Sequence, residues 1–285
     1  MPPVVTLFVY AITLFLGAGL LFVVQPMVGK MILPLLGGTP AVWSTCLVFF
    51  QSALLAGYAY AHATTTWLGT RRQALVHLAV LALPLFVLPL GIDRGFLRGG
   101  DASPVLDVLA VLVLSVGLPF VVVSATAPLL QAWFAVTRHP AARDPYFLYA
   151  ASNLGSMLAL LSYPLLVEPR WPLAGAGWLT QTRLWTLGYG LLAALTALCA
   201  VISRIDARAP VSTSSESGER ATSGAAPPAT DERPWRRRLY WVALAFVPSS
   251  LLLGTTTSIT TDIAAVTTRW AHAGQRPKAR MKLSR

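Results

Sequence analysis

The residues of this chain that could do chemistry are few: Gln25, Lys30, Gln51, Asn153 and Asp262 stand inside or beside stretches that are otherwise apolar. An amide or charge in hydrocarbon is costly, so each points to an interior surface, a solute path or a bond between helices. Tyr146, Tyr149, Asn153, Ser156 and Tyr163 recur at intervals of three, four, three and seven, which places them on one helical face. That face has two readings. Ser152, Gly155, Ser156 and Ala159 would let a second backbone approach while Asn153 bonds across, or the face would line a watery cavity for a solute. Ser44, Gln51, Tyr58 and His62 repeat the pattern at seven, seven and four. There Gln51 suits a packing hydrogen bond, and His62 a solvated group at the membrane edge.

Other chemistries find no support. His77, His139 and His272 are scattered, with no second histidine at ligand spacing, and Cys46 and Cys199 sit in apolar stretches, against a disulfide or zinc site. Gly17-Ala18-Gly19 lies inside an apolar stretch where a phosphate loop cannot form. With no nucleophile elbow, HExxH or paired carboxylates, no catalytic residue, cofactor or metal is expected. An intramembrane catalyst built on Lys30, Asn153 and Asp262 would lack an acid/base pair.

Two segments break the apolar pattern. Gln25-Pro26-Met27-Val28-Gly29-Lys30, followed by Pro34, Gly37, Gly38 and Pro40, predicts a kink or re-entrant turn carrying Lys30 as its charge. Such broken segments face the substrate in many transporters, whereas a snorkelling lysine at an ordinary turn is the plainer reading. Gly117-Leu118-Pro119 and the run from Ser124 through Pro128 to Gln131 predict further kinks. Asp262, after a Thr-rich run, would need Lys30 or a proton as partner; Asp144 and Glu168 would pair with Arg143 and Arg170.

The elements that must position these residues follow from composition. Hydrophobic side chains make up 55% and charged ones 12%, with a mean hydropathy of +0.62, against about 25% charged in an average soluble domain. Apolar blocks of membrane-spanning length run over residues 4–24, 41–63, 73–92, 105–125, 146–167, 184–202 and 239–257. The expected fold is all-α, a polytopic membrane protein of about seven transmembrane helices. The first block has no basic segment before it and no cleavage site after it, so it is expected to be retained. Trp43, Trp67, Trp133, Trp171, Trp178, Trp185, Trp235 and Trp241 stand at or near block ends, where indoles favour headgroups.

The expected organisation is a six-span region over 1–203, a disordered basic cytoplasmic linker over 204–238, a seventh span over 239–266 and a basic tail over 267–285. The net charge of +11 is carried outside the apolar blocks, which suits anionic lipid and argues against nucleic acid. The bilayer is the expected partner, with a small solute as a second. Lys and Arg tie at eleven on each side of a seven-span arrangement, and without the tail stand eleven to five for a cytoplasmic N-terminus. That orientation suits a bacterial inner membrane.

Three runs carry a resemblance: Gln25 to Lys30 with Leu33 to Trp43; Asp144-Pro145-Tyr146-Phe147-Leu148-Tyr149-Ala150-Ala151-Ser152-Asn153-Leu154-Gly155-Ser156; and Phe246-Val247-Pro248-Ser249-Ser250-Leu251-Leu252-Leu253-Gly254. They resemble the N-terminal membrane region of bacterial spermidine synthase-like membrane proteins. The resemblance implies a transporter-like or anchoring helical region joined to a cytoplasmic methyltransferase-fold domain. From Thr267 onward the likeness stops, and the basic tail reads as a truncation or frame change. Aminopropyl or methyl transfer is therefore not expected of this sequence, and a non-functional fragment is the alternative.

Overall fold

The computed structural model describes residues 3–92, 104–137, 139–143, 145–175 and 177–208, with scattered positions from Trp235 to Thr255. Two units are distinguished, Met1–Ser212 and Thr213–Arg285. In the second, the described residues between Leu239 and Thr255 are helical. Residues 204–208 of the expected linker are helical; apart from Trp235, the rest of it lies outside the described residues, as do the tail and Asp262.

The first unit is helical throughout its regular structure. Helix α1 spans Pro3–Leu36 and contains Pro26 and Pro34. The expected kink or re-entrant turn at Gln25 to Lys30 is thus replaced by continuous helix. Each proline removes one backbone donor, but Met27, Val28, Gly29 and Ile32 are buried, and that packing holds the helix together across the gaps. The turn comes at Gly37, whose φ of 76° is left-handed backbone suited to glycine. Thr39 then caps α2, accepting the Val42 N–H at 3.4 Å, with Pro40 in the first turn.

Helix α2, Pro40–Ala82, is broken at Gly69 (φ 65°, ψ 159°). Gln73 Nε2 reaches Thr64 Oγ1 at 3.3 Å, a separation that a straight helix would stretch to about 13 Å, so the chain bends sharply there. Helix α3 (Pro104–Leu112), a π turn (Val113–Gly117) and α4 (Leu118–Ala135) form one continuous span. The expected kink before Pro119 takes the form of this π turn, an inserted residue that relieves the proline clash. Pro128 lies inside α4, which continues to Ala135. Helix α5 (Tyr146–Ser162), a second π turn (Tyr163–Val167) and the short α6 (Glu168–Arg170) likewise run together, and α7 spans Gln181–Arg208.

Five helices among the described residues are long and apolar enough to cross a membrane: Pro3–Leu36, Pro40–Thr70, Val105–Ala135, Tyr146–Arg170 and Gln181–Ile205. About seven were expected. The block at 73–92 is the shorter apolar helix Arg72–Phe86. Two apolar cores mark opposite ends. One joins Tyr10, Ala61, Ala74, Leu130, Leu148 and Cys199; the other joins Ile32, Val42, Leu81, Val108, Tyr163 and Trp185. Every successive helix runs between them, so the chain alternates direction.

Candidate functional site

Helix α1 packs against both α5 and α7 and floors an open-sided groove of about 300 Å³ between them. Phe15, Leu20, Leu158, Ala159 and Leu184 line it, with Trp171, Gln181 and Trp185 at one end. The close approach of α5 to α1 depends on Gly155, where a Cβ would strike the Phe15 carbonyl. The side chains of Ser162, Gln181 and Trp185, which line the groove, are bonded to neighbours. Tyr163 OH donates to Gln181 Oε1 at 3.0 Å, Gln181 Nε2 donates to the Trp171 carbonyl at 2.8 Å, and Trp185 Nε1 donates to the Leu20 carbonyl at 3.0 Å. An occupant therefore meets an apolar wall.

Lys30 pairs with Glu168, tying α1 to α6 beside the groove residue Val167. This overturns the expected pairing of Glu168 with Arg170 or Arg143: Glu168 follows the second π turn, on the helix that lies against α1. Gln25 is half-buried, and its Nε2 donates within its own helix to the Leu21 carbonyl at 3.3 Å.

The polar residues of α5 do not act as one buried face. Tyr146, Tyr149 and Asn153 are exposed, Ser156 is half-buried with Oγ donating to the Asn153 carbonyl at 2.8 Å, and Tyr163 alone is buried. Among the described residues Asn153 neither bonds to a second helix nor lines the groove described above. The buried side belongs to Leu148, Gly155 and Ala159. Asn153 and Gly155 are two residues apart, about 200° around the helix, so a small-residue contact and an amide bond across it cannot share them. On α2, Gln51, Tyr58 and His62 are exposed too. Gln51 makes no packing hydrogen bond among the described residues, contrary to expectation.

A buried polar set at the opposite end was missed. Gln73 and His77, both fully buried, stand one turn apart. Gln73 Oε1 accepts from Trp133 Nε1 at 3.0 Å, and Gln73 Nε2 donates to Thr65 Oγ1 at 2.5 Å. Thr126 Oγ1 donates to the Val122 carbonyl at 2.9 Å and lies 3.2 Å from His77 Nε2, so Nε2 carries the ring proton and donates to it. The i, i+4 spacing of Gln73 and His77 in an apolar block was the available signal. Trp133 and Trp185, expected at the headgroups, are instead buried in the bundle with their N–H groups bonded, whereas Trp67 and Trp178 are exposed.

No family model, curated protein or solved structure matches the chain.

Proposed function

We propose that this chain is the integral membrane helical module of a polytopic protein, anchoring and assembling with other helices instead of carrying a solute along a polar path. One observation carries the choice. Gln25, Lys30, Gln51, Asn153 and Ser156 converge on no described cavity; Gln51 and Asn153 point outward from α2 and α5. Outward amides at mid-span are costly against lipid and favourable against another helix. A transporter-like reading would require polar groups gathered around a common path.

The finer reading is a bacterial inner-membrane protein of about seven spans with a cytoplasmic N-terminus, related to the membrane region of spermidine synthase-like proteins. The alternation of helix direction supports counting Arg72–Phe86 as a crossing, and the charge asymmetry supports the orientation. The three sequence runs support the family relation. The test is to express the chain with an N-terminal tag in a Gram-negative bacterium and extract its membranes with alkaline carbonate. The tagged chain is expected in the pellet; release to the supernatant sinks the membrane reading.

A further inference from the structure

We propose that the groove between α5 and α7 seats an acyl chain of an anionic phospholipid, with Arg170 and Arg183 holding the phosphate. This rests on the membrane reading above. The occupant must be apolar, because leucine, valine, phenylalanine and alanine side chains make up most of the wall and the Gln181 and Trp185 side chains are engaged by neighbours. The groove is open along one side, so an acyl chain of the surrounding bilayer reaches it without parting the helices.

Charge selects the headgroup. Arg170 ends α6 immediately before the groove residue Trp171, and Arg183 lies in the first turn of α7 immediately before the groove residue Leu184. Glu168 is engaged by Lys30, and neither arginine has a carboxylate partner among the described residues. Arg183 Nη1 donates to the Gly177 carbonyl at 2.8 Å, and its guanidinium stands 5.8 Å from the Trp178 ring centre. Of five guanidinium donors, that bond uses one. Trp178 is 88% exposed, as an indole in the headgroup layer would be. An acyl chain in the groove would thus bring its phosphate to two uncompensated cations.

The whole chain is purified from carbonate-resistant membranes and examined by native mass spectrometry with added phosphatidylglycerol or phosphatidylcholine. Wild-type is expected to retain phosphatidylglycerol preferentially. Each arginine near the headgroups is worth about fivefold in affinity for an anionic lipid, so R170Q/R183Q should lower phosphatidylglycerol retention by roughly twenty-five-fold and phosphatidylcholine, whose phosphate is offset by its own choline cation, by much less. Ser162→Phe, which fills the groove, should weaken both lipids. In the wild-type chain, phosphatidylglycerol with brominated acyl chains should quench tryptophan emission more than the brominated phosphatidylcholine does; this readout decides the matter if a variant fails to fold. Equal retention and equal quenching of the two lipids in wild-type overturn the proposal. So does a preference that survives R170Q/R183Q, or a dimer that forms with the lipid displaced. Absence from the carbonate pellet overturns the membrane reading itself, a separate failure.

Discussion

Gln73 is placed so that both ends of its amide are used, accepting from Trp133 and donating toward Thr64 and Thr65. Replacing it with leucine leaves the buried Trp133 N–H without a partner, at about 1–3 kcal/mol. Gln73→Leu should therefore lower the thermal midpoint of the detergent-purified chain, and adding Trp133→Phe should recover part of the loss. An unchanged midpoint for the single variant would show that the amide is not holding the indole. Asn153 gives the opposite expectation. Its exposed side chain has no described partner, so Asn153→Leu should leave the monomer's midpoint unchanged or higher; a clear fall would mean that the amide is engaged within the chain. Both residues are amides in apolar stretches, and the sequence alone singled out only Asn153. Spacing reveals which residues share a face, but not whether that face turns toward the bundle.

At the scale of elements, the α1–α5 contact turns on one position. A Cβ at Gly155 meets the backbone of Phe15, whereas one at Gly190 in α7 meets nothing within 4 Å. Gly155→Ala should cost about 1–3 kcal/mol, because the obstacle is a carbonyl that cannot swing away. Gly190→Ala should be neutral or stabilise by up to about 1 kcal/mol through helix propensity alone. Thermal unfolding of the pair in one detergent checks the contrast, and equal effects would refute the close approach. Five long helices were legible as apolar blocks, since length and hydropathy suffice for that. The course of α1 through Pro26 and Pro34 was not: a proline's local cost is visible in the sequence, whereas the burial of Met27 and Ile32 that offsets it is a property of neighbouring helices. The groove was illegible for the same reason. It depends on α5 and α7 both flanking α1, and no periodicity encodes which helices become neighbours.

For the whole molecule, alternation between two ends makes a topological prediction. Thr66 lies at the end near Gly69, and Ala174 lies in the exposed connection before α7. Thr66→Cys and Ala174→Cys should face opposite sides of the membrane. With a cytoplasmic N-terminus, a bulky membrane-impermeant maleimide whose access to the periplasm has been established should label Ala174→Cys in cells with an intact inner membrane. Thr66→Cys should label only after that membrane is opened. The native Cys46 and Cys199 are buried and should contribute little background. Labelling of both positions from outside would contradict the alternation. The sequence supplied the number and order of blocks behind this arrangement, but not the bend at Gly69, which is a matter of one left-handed residue. The two π turns have a genetic consequence. Each holds one residue beyond the ordinary helical count and absorbs it in one wide turn, so the helix after it keeps its face. Deleting a single residue within Tyr163–Val167 would let the segment revert to regular helix and leave Glu168 turned toward Lys30. In a helix of regular turns throughout, the same deletion would swing Glu168 and Arg170 by about 100° around the axis, and Lys30 would lose its counter-ion with no charged residue altered.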